Sequence, residues 1–205
     1  MAAQIQPIMK KFAITILLAT GIITTASAQR QGQNDCAKVY MGVTTGIDNP
    51  AGVLGFTVDV PIVPSASLNG GFGLSGWGYK SYIEGRYYFK ECHRGWALGA
   101  GLSHNTGLSQ FDLEAVDAAN NNINAKIDLL PVTNVFFAGY HFFNLGRGGN
   151  RFHLSLGYSY CLDGTGNYRI TTQNTTISPD GRTVLDIIQP GGVMLGLGFT
   201  FAIGR

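Results

Sequence analysis

The sequence predicts an all-β fold: an eight-stranded antiparallel up-and-down transmembrane β-barrel with a cleaved N-terminal signal peptide. Stretches such as RFHLSLGYSYCL, residues 151–162, alternate apolar with small polar side chains, a period-2 pattern typical of a strand with two unlike faces. Charged residues make up only 13% of the chain, against about 25% in a soluble domain. There is therefore little charge to cover a surface that faces water.

An apolar leader precedes the first predicted strand. The stretch MKKFAITILLATGIITTASAQ begins at Met9, a candidate start, and contains two lysines, an apolar run and a small-residue site ending at Ala28. This layout is typical of a secretory signal peptide cleaved after Ala28. The apolar run is short for a membrane-spanning helix and is interrupted by threonine and glycine. We expect residues 1–28 to be the signal peptide and residues 29–205 to be the barrel domain.

Alternation between turn signals predicts eight strands. They are residues 38–46, 53–62, 66–76, 79–89, 95–104, 129–143, 151–162 and 192–203. The sixth is irregular, because Phe136 and Phe137 are adjacent and Asn134 and His141 lie on opposite parities, a pattern that a bulge would explain. The two long connections follow the fifth and seventh strands. They are extracellular if both termini lie in the periplasm, since outer loops of bacterial barrels can be long.

The apolar parity of the strands is predicted to face lipid, with aromatic girdles at the two bilayer interfaces. The periplasmic girdle is predicted to contain Tyr87, Phe89, Trp96, Phe142, Phe152 and Phe201. The sparser outer girdle is predicted to contain Trp77, Tyr79, Tyr158 and Tyr160. Leucine, valine, isoleucine and alanine occupy the apolar parity between them.

The opposite parity carries a predicted polar cluster in the lumen, made of Asp59, Glu84, Arg86 and His153. An eight-stranded barrel has an interior just wide enough for side chains to fill. Because isolated buried charges are costly, we expect these groups to pair and plug the barrel. A narrow gated pore is the alternative.

The leader, the eight alternating strands and the closing GVMLGLGFTFAIGR resemble the small outer-membrane barrel family that includes the OmpA transmembrane domain, OmpX and the opacity proteins. The resemblance implies the outer membrane of a Gram-negative bacterium, contact with lipid and lipopolysaccharide, and a monomer. Members of that family typically end on an aromatic residue. This chain differs, because four residues follow its last aromatic residue, Phe201.

The predicted function is structural or surface-interacting, through polar loops near residues 105–128 and 163–190. Both are rich in asparagine, threonine and glycine, so we expect them to be mobile and dispensable for the barrel. The identity of a surface partner is left open. The scattered net charge of +2 argues against nucleic acid, and nothing in the sequence indicates a cofactor.

A lipid-A-modifying hydrolase is a further alternative, because some small outer-membrane barrels are deacylases with an outer His, Ser and Glu. His104, Thr106 and Glu114 resemble that pattern loosely, with threonine in place of serine, and Ser109 is not at the expected spacing. A nucleophile needs an adjacent base and an orienting carboxylate. We therefore predict a polar loop rim and no catalysis.

The three cysteines, Cys36, Cys92 and Cys161, lack the spacing of a zinc site, and no metal site is predicted. Cys36 and Cys92 belong at the same end of the barrel, but a bridge between them would have to cross its mouth. Free thiols are therefore the expectation, with a Cys36–Cys92 bridge as the alternative.

Overall fold

The computed structural model describes residues 39–117, 122–145, 149–164, 166–172 and 175–204. The predicted signal peptide, its cleavage position Ala28 and Cys36 lie outside the described residues. The elements, in chain order, are β1 Val39–Ile47, β2 Leu54–Val63, β3 Ala66–Ser75, β4 Gly78–Lys90, β5 Arg94–Asn105, β6 Leu108–Asp117, β7 Asn122–Leu129, β8 Val132–Leu145, β9 Asn150–Cys161, β10 Tyr168–Ile170, β11 Thr175–Ile177, α1 Pro179–Ile188 and β12 Gly192–Ile203.

Eight of these strands form a closed antiparallel barrel in the order β1-β12-β9-β8-β5-β4-β3-β2. The barrel closes between its first and last strands, where Val39 pairs with Ile203. We call this the terminus end of the barrel and the opposite end the cap end. The predicted eight-stranded barrel is confirmed, and its strand limits agree with the predicted ones to within three residues.

Each barrel strand buries one parity and exposes the other, as β4 illustrates. Lys80, Glu84 and Arg86 point into the barrel and are buried, whereas Tyr79 and Tyr87 lie on its exterior and are exposed. The polar face of the alternating pattern is therefore the inner face, the reverse of a soluble barrel around a greasy core.

Strand β8 corrects the expectation of a bulge. Its register is continuous with β5 and with β9, so Phe136 points inward and Phe137 outward as ordinary neighbours on a strand. Both faces of β8 carry aromatic residues, so alternation in the sequence did not distinguish the inward face from the outward one. The predicted sixth strand also began too early, because Leu129 ends β7 and β8 begins at Val132.

The two predicted mobile loops instead fold together at the cap end. Strands β6 and β7 form a hairpin, and β10 and β11 pair with its two edges in a four-stranded sheet of order β10-β7-β6-β11. We call this sheet, together with α1, the cap. Its apolar core comprises Trp77, Leu113, Ile127, Leu129, Val132, Ile177 and Leu185. Apolar residues interleaved with asparagine and threonine in the loops supply most of this core, and Trp77 and Val132 add to it from the rim of the barrel.

Helix α1 is anchored to the sheet by its first turn. The Ser178 hydroxyl accepts a hydrogen bond from the Gly181 amide at 3.0 Å and donates one to the Glu114 carbonyl at 3.0 Å, so the N-cap residue also ties the helix to β6. Gly181 is needed here, because a Cβ would lie 2.5 Å from the Glu114 carbonyl oxygen.

Candidate functional site

The centre of the lumen is an ion network around Asp59 of β2, which is fully buried. Its Oδ2 accepts hydrogen bonds from Arg151 Nη2 at 2.9 Å and from the Tyr88 hydroxyl at 2.7 Å. Arg86 Nη1 lies 4.0 Å from the same oxygen. Charge-assisted bonds of this kind offset much of the cost of burying the carboxylate.

The second half of the network joins neighbours on β4. Arg86 Nε donates to Glu84 Oε2 at 2.9 Å, and both side chains are buried. Gly99 on the adjacent strand makes room for this pair, because a Cβ there would collide with the Glu84 carboxylate. Two carboxylates thus face two guanidiniums, and the formal charges of the network cancel.

Aromatic rings on the lumen side cover the guanidinium groups. Arg151 lies 3.3 Å from the Tyr40 ring centroid and 4.6 Å from that of Phe142, and Arg86 lies 4.2 Å from that of Tyr140. These cation–π contacts add to the ion pairs. They also correct the girdle assignment of Phe142, which is 3% exposed and belongs to the barrel interior.

Arg151 is the network residue that the predicted cluster lacked, and His153 is inside the barrel as predicted but belongs to none of the network's ion pairs. Both lie on the inward parity of β9, so alternation indicated Arg151 as well. His153 is buried against the rings of Tyr140 and Phe142, at centroid distances of 5.9 and 5.1 Å, and makes none of the ion pairs found among the described residues. It fills space beside the network, opposite Gly198, where a Cβ would strike its ring.

The β4–β5 turn closes the terminus end of the lumen. Cys92 and His93 both adopt left-handed backbone conformations, with φ of 59°, which turns the His93 ring into the barrel mouth. There Nε2 donates to the Val63 carbonyl at 3.1 Å, while the His93 carbonyl accepts from Arg151 at 2.8 Å. Burial lowers the pKa of His93, although the Asp59 carboxylate opposes the shift, so the inserted ring is neutral at pH 7.

The same turn corrects the expectation of free thiols at this end. Cys92 is disulfide-bonded, and Cys161 is the free cysteine of the described residues.

The β1–β2 connection enters the lumen from the cap end. Ala51 is fully buried, and Asn49 Nδ2 donates to the Thr44 hydroxyl at 2.8 Å. Asp48 pairs with Lys80 at 2.7 Å. Between this connection and the network remains a cavity of about 10 Å³, room for about one water molecule. The β1–β2 connection, the ion network and the β4–β5 turn thus occupy the lumen between its two ends.

Of the other predicted girdle residues, one is buried and the rest lie on the exterior of the barrel. Trp77 is not on the exterior: it is 1% exposed in the cap core, where its Nε1 donates to the Leu130 carbonyl at 2.8 Å. Its place in the β3–β4 turn, beyond the last alternating residue, is why parity misassigned it. The remaining predicted girdle residues lie on the outer parity. They are Tyr79, Tyr87, Phe89, Trp96, Phe152, Tyr158, Tyr160 and Phe201.

Two residues of the hydrolase alternative, His104 and Thr106, make contacts with other groups. His104 is exposed at the cap-end rim, and its Nδ1 lies 3.1 Å from the Thr133 hydroxyl on the neighbouring strand. The Thr106 hydroxyl donates to the Gly107 carbonyl instead of to a base. Among the described residues there is no group of three or more potential metal ligands. None of the described helices is long and apolar enough to span a membrane.

Comparison with known proteins adds one likeness of fold. No family model and no curated protein matches the sequence. Among solved structures, the chain is similar to the N-terminal β-barrel domain of Pseudomonas aeruginosa OprF, with 17% identity and a TM-score of 0.43. The alignment covers 84% of this chain and 100% of that domain. The class assigned here, a small closed β-barrel with a filled polar interior, rests on the strand pairing and burial of this chain itself.

Proposed function

We propose that this chain is an outer-membrane β-barrel with a structural or surface-interacting role, which it fulfils without catalysis and without conducting ions. The observation that carries the proposal is the distribution of charge. The outward parity of the eight strands carries no Asp, Glu, Lys or Arg in the described residues except Arg94 at the first position of β5, whereas Asp59, Glu84, Arg86 and Arg151 are buried inside. Such a surface suits lipid, and a closed barrel leaves no unpaired edge there.

The cap is the part of the proposed protein that would face outward from the cell. Two segments that are distant in sequence build one folded unit, and α1 presents Val184 and Ile187, which is 76% exposed, on its free side. A fixed, partly apolar surface of this kind suits recognition of another macromolecule better than mobile polar loops would.

Membrane location predicts different outcomes for adjacent substitutions on β9. Leu156 is exposed on the exterior and Ser155 lies on the inward parity. Leu156→Arg should destabilise the barrel by about 2–4 kcal/mol if it lies near the bilayer midplane. Ser155→Ala, which adds no charge to the lumen, should change the free energy of unfolding by less than about 1 kcal/mol. Urea unfolding of protein refolded into lipid vesicles, followed by the shift in gel mobility between unheated and heated samples, measures both.

Cell fractionation provides the direct test of the location. We expect the intact protein in the outer-membrane fraction, with a heat-modifiable band. Recovery in a soluble fraction, or equal tolerance of Leu156→Arg and Ser155→Ala, would contradict the proposal.

The filled lumen predicts an absence of conductance. Wild-type protein in planar bilayers should give no steady current, because the ion network, the inserted turn and the β1–β2 connection block the lumen, and the cavity between the connection and the network has room for about one water molecule. Arg86→Ala removes one cation and leaves Glu84 without its partner, so small flickering currents are expected from the variant. Large, stable openings of the wild type would favour the gated pore instead.

A further inference from the structure

A groove with a volume of about 600 Å³ lies on the barrel exterior, where it crosses β5, β8, β9, β12 and β1. Its floor opens at Gly139, the one residue without a side chain on the outward parity of β8, between Leu98 and Leu156 on the neighbouring strands. Leucines of β9 and β12 form its walls, and Trp96 and His141 close one end.

We propose that this groove is a binding site for one acyl chain of a phospholipid. The inference rests on the proposed membrane location and adds to it a preferred position for a lipid. The site is of a different kind from the lumen network, since it lies on the opposite face of the same strands.

The shape of the groove suits a single chain. Five adjacent strands about 4.8 Å apart give it a length of about 19 Å, and the tilt of barrel strands carries it obliquely across the wall. A lipid chain occupies about half of the roughly 30 Å hydrocarbon core, so one chain of one leaflet matches this path. The volume is also in the range of about 300–1,000 Å³ found for small-molecule sites.

The chemistry of the lining excludes charged occupants. None of its twelve residues is Asp, Glu, Lys or Arg. Its one titratable side chain, His141, packs between the rings of Trp96 and Phe143, at centroid distances of 4.6 and 4.4 Å. The Thr45 hydroxyl is already satisfied by the Val53 carbonyl. What remains to meet an occupant is apolar surface.

A second copy of the chain fits this groove less well. A stable protein interface takes about 800 Å² and 20–30 residues from each partner, whereas twelve residues line the groove. A flexible acyl chain can lie along this narrow groove, whereas the rigid wall of a second barrel cannot enter it.

Glycines on the exterior provide a matched pair of variants. A Cβ at Gly139 would meet only ordinary contacts, 3.8 Å from the Leu156 carbonyl oxygen and 4.0 Å from Leu98. Gly85 on β4 also faces outward, away from the groove, and a Cβ there meets nothing within 4 Å. Gly139→Leu should fill the groove without straining the barrel, and Gly85→Leu adds the same side chain elsewhere.

The chain also contains a natural reporter. It has two tryptophans: Trp96 lines the groove, and Trp77 is buried in the cap core. Protein would be reconstituted into vesicles of phosphatidylglycerol and phosphatidylethanolamine in which a rising fraction of the lipid carries brominated chains. Bromine quenches Trp96 on contact, while Trp77 gives a constant background.

The unbrominated lipid would have shorter chains than the brominated lipid, so that the two compete unequally for the groove. For the wild type we expect half-maximal quenching at a mole fraction of brominated lipid about fivefold lower than random mixing of the two lipids predicts. That factor corresponds to a preference of about 1 kcal/mol. Gly139→Leu should return the curve to bulk mixing, and Gly85→Leu should leave it unchanged.

The outcomes separate this site from the proposed function. Identical bulk-mixing curves for all three proteins would overturn the acyl-chain site and leave the membrane location standing. Absence of quenching even in fully brominated vesicles would overturn the membrane location. Quenching that falls as the protein-to-lipid ratio rises would show that a second copy covers the groove, which would also overturn the proposal.

Discussion

Replacing Arg151 with alanine should destabilise the barrel by about 3–5 kcal/mol, the cost of leaving a buried charge without its partner. The substitution removes the 2.9 Å bond to Asp59, the bond to the His93 carbonyl and the cation–π contact with Tyr40. Arg86, at 4.0 Å, is then the cation left beside Asp59. Urea unfolding in lipid vesicles measures the change.

Two further variants show where this effect comes from. Arg169→Ala removes an exposed arginine in the cap and should change the free energy of unfolding by less than about 0.5 kcal/mol. Adding Asp59→Asn to Arg151→Ala removes the uncompensated charge, so the double variant should be more stable than Arg151→Ala alone. An Arg151→Ala protein as stable as Arg169→Ala would show that the network does not hold the barrel together.

Replacing Trp77 with alanine should unfold the cap and spare the barrel. The indole is 1% exposed within the cap core and donates to the Leu130 carbonyl, and truncating a buried tryptophan typically costs about 3–5 kcal/mol. Such a loss is large for a small sheet with one layer of core residues. Limited proteolysis should cut the variant within residues 108–129 and 168–188, where the wild type resists.

The control is the other tryptophan. Trp96 is 62% exposed on the exterior, so Trp96→Ala should leave the cap as resistant to protease as in the wild type. Both variants should retain heat-modifiable mobility. A Trp77→Ala protein whose barrel is lost along with the cap would mean that the two units fold as one.

Alternation predicted the barrel well because each strand is buried on one side only. The small-and-polar parity of RFHLSLGYSYCL correctly placed His153 inside, and the same reasoning placed Asp59, Glu84 and Arg86 there. Parity fails where both faces look alike, as at Phe136 and Phe137, and where a residue lies in a turn, as Trp77 does. It also gives no cross-strand distances, so the partner of each charge had to come from the structure.

The cap was missed for a different reason. Its strands are short, and their polar residues, such as Asn124 and Lys126, alternate with the apolar Ile123, Ala125 and Ile127. The stretch AANNNINAK therefore looked like a polar loop. Two such segments form a core only when they pack against each other. Local sequence patterns do not show that residues 108–129 and 168–188 are neighbours in space. Long-range pairing of this kind is decided by the barrel that holds their ends together.

The Asp59–Arg151 bond has a consequence for the order of assembly. Asp59 lies on β2 and Arg151 on β9, and in the ring these strands are separated only by β1 and β12. Before β1 pairs with β12, however, β2 and β9 belong to opposite regions of an open sheet. The bond can therefore form only as the seam closes, and it cannot guide the earlier strand pairings, which join neighbours in sequence. Arg151 should therefore slow the unfolding of the finished barrel while leaving the early steps of its folding unchanged.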